Sequence, residues 1–255
     1  MSNNLQRTYW NIRRKLLRTF VPEFIWPKES VIDGVSFKIR DTPYSFGTKR
    51  ALKTGNYEVS ERHLLQQQIK QGDIVIEMGG SVGVLTAILA HHTGSNGLVV
   101  SVEASENITA YSKTWLEAKG NIKVLTGFGF PVFSVNKKIK INSFDQQGGS
   151  LGGRLSFDVN ENASGNDTAE GTYDIEKIMQ QFSISPTVLV IDVEGSEKII
   201  ITDKPAYPAS VRVILMEMHT YMYGEDARKQ IIQRIVDEGF RVVNDENDVY
   251  LFERV

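Results

Sequence analysis

Two rhythms of apolar and polar residues run along the chain. From residue 72 onward, short apolar runs recur at 74–78, 98–103, 122–125, 187–193 and 211–218. Nearly unbroken apolar runs of that length predict strands buried on both faces. Between them, stretches at 82–92, 106–119, 174–182 and 225–238 repeat with helical period, and Gly94, Gly120 and Gly239 stand where a left-handed C-cap is wanted. Strands alternating with amphipathic helices mean an α/β chain with a mostly parallel sheet covered on both faces. A final pair, 240–244 and 249–253, flanks the polar turn Asp245-Glu246-Asn247-Asp248 and predicts an antiparallel hairpin, bringing the sheet to seven strands. Upstream, a helix is expected from Ser60 through Gln71 with Leu64, Leu65 and Ile69 inward, and residues 31–40 alternate weakly as a short hairpin.

Two regions break this rhythm. Residues 130–172 lack helical period: 137–142 and 154–159 alternate as strands around the glycine-rich 148–153, and the polar run 160–171 is expected to be mobile. At the other end, Leu5, Tyr9, Ile12, Leu16 and Phe20 share one helix face while Arg7, Arg14, Lys15 and Arg18 share the opposite one. Such a helix packs on its own domain by default, and its basic face also suits peripheral contact with an anionic membrane. The chain thus divides into an appendage, 1–54, and a main domain, 55–255.

Composition narrows the class. The 255 residues are 41% hydrophobic and 24% charged with a net charge of −2, as in ordinary globular proteins. Residues 1–30 carry six basic groups against Glu23 and Glu29, so the remaining 225 residues sum to −6 and offer no phosphate-tracking stripe. There is no cysteine, which excludes disulfide scaffolds, zinc ribbons and thiol nucleophiles. No apolar run approaches the roughly 18–20 residues of a membrane span, and the N-terminus lacks a signal peptide's apolar core, so a cytoplasmic protein is expected.

The first strand carries the clearest chemistry. Glu77-Met78-Gly79-Gly80-Ser81-Val82-Gly83 is a strand end, a glycine turn and a helix start. Such a turn lets the backbone approach a ligand and presents amides at a helix N-terminus. A dinucleotide fingerprint starting at Gly79 needs glycine at Ser81 and Val84 and finds neither. The pattern acidic-x-G-x-G-x-G of S-adenosylmethionine sites fits with one glycine replaced by Ser81. There the Glu77 carboxylate would hold the ammonium of the methionine portion. Twenty residues past Gly83, Glu103 ends the second strand, where a carboxylate accepts both ribose hydroxyls.

These segments resemble the FkbM-type S-adenosylmethionine-dependent methyltransferases over residues 55–255. The likeness runs through Gly55-Asn56-Tyr57-Glu58, Gly72 to Gly79, Val102-Glu103-Ala104, Ile191-Asp192-Val193-Glu194-Gly195-Ser196-Glu197 and Glu217-Met218-His219. This chain departs from the family at Ser81, where another glycine is usual, and in the irregular insert. The resemblance implies a Rossmann-like class I methyltransferase fold, with Gly79, Gly80, Ser81, Gly83, Glu103, Ala104 and Asp192 around the cofactor. It also implies O-methylation of a small-molecule or glycan hydroxyl.

Residues two apart on a strand face the same way, so Asp192 with Glu194, and Glu217 with His219, are expected at neighbouring carboxyl ends of strands, where ligands of open α/β sheets sit. His219 is the expected base, with Asp192 orienting it, taking the proton itself or holding the acceptor hydroxyl. The same group, Asp192, Glu194, Glu217 and His219, is also a set that holds magnesium or manganese, with Asp192, Glu217 and His219 as the alternative ligands. Nucleic acid is disfavoured as acceptor, since the chain has neither a cysteine nucleophile nor an Asp-Pro-Pro-Tyr-like run. A nicotinamide-dependent oxidoreductase and a non-catalytic, membrane-recruited cofactor-binding protein are the alternatives.

Overall fold

The computed structural model describes residues 22–135, 137–146, 153–164 and 171–255. The expected basic helix over Leu5 to Phe20, with its membrane contact, lies outside the described residues, as do Gly148 to Gly152. The chain separates into two compact units that divide after Tyr57. In the first, β1 (Glu29–Ile32) and β2 (Val35–Lys38) form the expected hairpin. It is followed by α1 (Phe46–Thr54), which the sequence pattern did not reveal. Ser45 caps α1 by accepting from the Thr48 amide, and Gly55 ends it at φ 72°.

The second unit starts with α2 (Val59–Leu65), shorter than the expected 60–71 because the chain tightens into turns after Leu65. Its centre is a seven-stranded sheet in the order β12-β13-β11-β10-β3-β4-β5. Five strands run parallel: β3 (Ile74–Met78), β4 (Leu98–Glu103), β5 (Ile122–Thr126), β10 (Val188–Ile191) and β11 (Val213–Glu217). The hairpin of β12 (Phe240–Glu246) and β13 (Val249–Arg254) joins antiparallel beside β11. With helices on both sides, this is the Rossmann-like class I methyltransferase fold. The expected bounds of β10 and β11 run past the observed ones, and after β10 the chain turns away where Glu194 and Gly195 take left-handed backbone conformations.

The helices follow their apolar faces. α3 (Val84–Thr93) buries nearly every side chain from Val84 to Ala90, as a helix apolar all round must. It starts two residues later than expected because Gly83 sits at φ 85°. α4 (Glu106–Glu117) is capped by Ser105 and α5 (Ile175–Phe182) by Asp174, each side chain accepting from a first-turn amide. A short α6 (Ile199–Thr202) follows β10, α7 (Thr220–Tyr223) follows β11, and α8 (Glu225–Asp237) leads to the hairpin.

Between β5 and α5, the two-residue strands β6 (Phe128–Gly129) and β9 (Thr172–Tyr173) pair with each other. They frame a long hairpin, β7 (Lys137–Gln146) and β8 (Gly153–Ser164). Residues 160–164 of the expected mobile run are strand here, since they close the ladder opposite Lys137 and Lys138.

The strand order reverses at β3: the chain moves outward to β4 and β5, then returns to lay β10 on the other side. Ligands of open α/β sheets sit at this switch point, outside the carboxyl ends of the strands. The Asp192 amide donates to the Met78 carbonyl at 2.8 Å, so the end of β10 is tied to the start of the glycine turn.

Candidate functional site

The glycine turn is packed closely against protein at three of its positions. A Cβ at Gly79 would sit inside the Asp192 carbonyl, one at Gly80 would strike the Ser101 hydroxyl, and one at Gly83 would strike Leu116. The glycines therefore serve close packing as well as the ligand approach expected from sequence. Gly79, Ser81 and Gly83 have φ of 93°, 46° and 85°, an alternation that coils the backbone into a small concavity at the head of α3. Ser81 holds a left-handed conformation without being glycine, a backbone shape that favours glycine.

Glu103 closes this concavity. Its two oxygens accept from the Ser81 amide at 2.9 Å and the Ser105 amide at 2.7 Å, leaving lone pairs for the ribose hydroxyls expected there. Burial raises its pKa against those backbone bonds. Ala104 lies between these contacts, half-buried at the strand end. Glu77 departs from expectation. It is 2% exposed and accepts from the Thr86 hydroxyl at 2.5 Å, so it forms the floor beneath the turn rather than a rim that reaches a ligand's ammonium. Burial pushes its carboxyl up to about 7.

The second half of the site stands at the ends of β10 and β11. Ile191 pairs with Met216, so Asp192 and Glu217 leave the sheet side by side. The strand alternation expected to align Asp192 with Glu194 does not operate, because β10 ends at Ile191. The turn brings them together instead: Glu194 at φ 44° and Gly195 at φ 109° fold the chain back, and both carboxylates reach His219 Nε2, Asp192 Oδ1 at 3.5 Å and Glu194 Oε2 at 3.4 Å. Among the described residues, Asp192, Glu217 and His219 have ligand atoms within 4.8 Å of one another. All four residues expected at this end therefore converge.

Glu197, to which sequence reasoning assigned no role, governs the geometry. It is fully buried, and its Oε1 accepts from the His219 backbone amide at 3.0 Å and meets His219 Nδ1 at 2.9 Å. Its Oε2 accepts from the Gly195 amide at 2.8 Å. One carboxylate thus fixes both the imidazole and the turn that carries Glu194. Burial alone would raise the Glu197 pKa, but the contact with His219 outweighs it and holds the carboxyl below its usual value. Burial works against charge on His219 as well, yet Glu197, Asp192 and Glu194 together push it up to about 9. The imidazole is therefore a cation at neutral pH, poorly suited to the base role expected of it. Asp192 is raised by burial and by Glu217, and Glu217 chiefly by burial. Tyr221 overhangs this end, two-thirds exposed, its hydroxyl donating to Glu194 at 2.9 Å.

Comparison with known proteins bears on one half of this site. A family model described as protein-L-isoaspartate (D-aspartate) O-methyltransferase matches residues 38–133. Protein-L-isoaspartate O-methyltransferase 2 of Archaeoglobus fulgidus is 29% identical over 129 residues, 49% of this chain and 54% of that protein. The chain thus spans about half the length of the curated relative it matches. A solved protein-L-isoaspartate O-methyltransferase is 32% identical over 30% of this chain and 26% of its own, with a TM-score of 0.25. Aeropyrum pernix fibrillarin, solved with S-adenosyl-L-methionine natively bound, covers 77% of this chain and 75% of its own at 13% identity and a TM-score of 0.46.

These findings correct the sequence reading. The family that matches is the isoaspartate methyltransferase family rather than the FkbM type, and the small-molecule or glycan acceptor inferred from the latter falls with it. The motifs quoted for that resemblance combine a glycine turn and strand-end acid common to this fold with acidic strand ends that do not by themselves name an acceptor. The cofactor, S-adenosylmethionine, stands, and the nicotinamide alternative is set aside. In fold and cofactor the chain is of the S-adenosylmethionine-dependent methyltransferase type. No helix among the described residues is long and apolar enough to cross a membrane.

Proposed function

We propose that the chain transfers a methyl group from S-adenosylmethionine to a carboxylate oxygen of a protein or peptide acceptor, with isoaspartyl residues as the first candidates. The observation that carries this reading is the match of residues 38–133, which include the glycine turn and Glu103, to isoaspartate O-methyltransferases. S-adenosylmethionine supplies an electrophilic methyl group on a sulfonium. The turn from Gly79 to Gly83 and the Glu103 carboxylate hold this donor by its amino-acid and ribose ends.

A carboxylate acceptor changes what the rest of the site must do. With an ordinary pKa near 4, it is already ionised at neutral pH and needs no base. As its oxygen bonds to the methyl carbon, the carbon–sulfur bond breaks and its electron pair stays on sulfur, so a neutral ester and a neutral thioether form without proton transfer. The work left is in-line positioning. His219, cationic and aimed at the switch point by Glu197, attracts an anion where a neutral base would deprotonate an alcohol. Asp192, Glu194 and Glu217 restrict which anions approach and from what side.

The test is methyl transfer onto two peptides of one sequence, one with an isoaspartyl and one with an aspartyl residue, read by intact mass. The expected product is a base-labile methyl ester on the isoaspartyl peptide. Equal modification of both peptides, or base-stable methylation, overturns the acceptor assignment. In the same preparation Glu103→Ala is expected to weaken S-adenosylhomocysteine binding by about 10- to 150-fold, the worth of charge-assisted hydrogen bonds of about 1.5–3 kcal/mol. Calorimetry finding unchanged affinity removes Glu103 from the donor site.

A further inference from the structure

We propose that Asp192, Glu217 and His219 form a binding site for one hard divalent cation, with manganese(II) preferred over magnesium. Three facts of geometry converge on it. The ligand atoms come from the ends of two neighbouring parallel strands, β10 and β11, and lie within 4.8 Å of one another. His219 Nε2 and Asp192 Oδ1 are 3.5 Å apart. Two atoms that each bind one ion at about 2.0–2.2 Å stand at about that separation.

The other two facts distinguish this group from an ordinary acidic cluster. The His219 side chain is 4% exposed, and Glu197 holds it through Nδ1 at 2.9 Å. A carboxylate on the far nitrogen, turning the near nitrogen toward two more carboxylates, is the outer-shell arrangement of metal-ligating histidines. Independently, Asp192 Oδ1 is sealed from solvent and receives no hydrogen bond. Its neighbour of opposite charge is His219 Nε2, 3.5 Å away and beyond hydrogen-bond geometry, and a cation between the two would satisfy both. Around it stand Glu194, Glu197, Glu217 and Glu61. Among the described residues, the ion pairs made by Asp192, Glu194 and Glu197 all go to His219.

One imidazole nitrogen with two carboxylates is a mixed donor set. Magnesium prefers oxygen ligands and dehydrates reluctantly, so an imidazole nitrogen among the donors favours manganese(II) over it. An ion here would displace the proton from His219 Nε2, offset the acidic cluster and take over from the imidazolium the attraction of an anionic acceptor. That role rests on the carboxylate-acceptor reading above, whereas the binding site itself does not.

The experiment titrates manganese(II) into the full chain without donor or acceptor, following free ion by electron paramagnetic resonance and thermal stability in parallel. One saturable site per chain is expected, with a rise in melting temperature as the ion passes its Kd. Asp192→Asn and Glu217→Gln should each weaken binding at least tenfold. Glu225→Gln, an exposed substitution outside the ligand set, should leave it unchanged. Circular dichroism on each variant separates lost binding from lost folding, and if one variant fails to fold, the other decides. No saturable site, or wild-type affinity in both site variants, overturns the proposal. Saturation by zinc with no manganese binding overturns the hard-ion assignment. Because no methyl donor or peptide is present, the result stands whether or not isoaspartyl peptides prove to be substrates.

Discussion

At the β3–β4 side of the switch point the binding groups are mostly backbone, and at the β10–β11 side they are side chains. The first region is a coil of left-handed glycines and Ser81 drawn toward Glu103 by one amide. The second is a set of carboxylates around His219, with a buried acid, Glu197, as its keystone. On the function proposed above, the difference suits the two tasks. A donor common to many enzymes is held by groups that tolerate change at most neighbouring positions. An acceptor is selected by charges whose placement depends on a few exact contacts. It follows that the first region should yield to sequence comparison, as residues 38–133 do, and the second should answer to mutation.

The largest effect is expected at the keystone. Glu197→Ala would strand a buried imidazolium and free the Gly195 amide, and breaking a buried pair from one side costs about 3–5 kcal/mol. Urea unfolding checks the magnitude. Glu197→Gln, which keeps an acceptor for the His219 amide, should lose less. If S-adenosylhomocysteine affinity in the Gln variant falls as far as manganese affinity does, the two regions are not separable and the contrast drawn here fails.

Next is a pH dependence that sits wholly beneath the donor turn. The Glu77 carboxyl rises from 4.5 to about 7 on folding, because burial disfavours its charge. The native state therefore holds this proton more tightly than the unfolded chain. The stabilisation is complete below pH 4.5 and is lost as pH rises through 7, a change of about 3 kcal/mol at roughly 1.4 kcal/mol per unit. In Glu77→Gln that component should vanish, so the variant gains on the wild type between pH 5 and pH 8. Parallel stability curves for the two proteins would exclude a raised Glu77.

The smallest expected effect tests how far the backbone region tolerates change. Ser81→Gly removes a left-handed non-glycine residue that costs about 1–2 kcal/mol, offset in part by glycine's freedom in the unfolded chain. The result should be neutral to about 1 kcal/mol stabilising, with donor affinity preserved. A clear loss of either would mean the Ser81 side chain does more than occupy its turn.

Both regions leave traces in the sequence, of different kinds. The sheet strands were legible because burial on two faces writes a contiguous apolar run, and the donor turn because its glycines and Glu103 lie at fixed offsets along one strand–helix–strand unit. The short α1 escaped notice because its apolar side chains, Phe46, Ala51 and Leu52, do not recur with helical period. Glu77 was recognised as part of the turn, but its position beneath it depends on Thr86, nine residues away on α3.

Sequence by itself determined what is local: the alternation that dictates a parallel sheet, the glycines that permit the turn and the acid that ends β4. Tertiary structure alone decided what those pieces meet. Asp192 and His219 are 27 residues apart, and only the pairing of β10 with β11 makes them neighbours. Glu197 reaches His219 because two left-handed residues reverse the chain after β10, a bend that no propensity at Glu194 announces. The charge on that imidazole is a property of the assembled cluster. Burial and three carboxylates set it, and both act only once the strands are side by side.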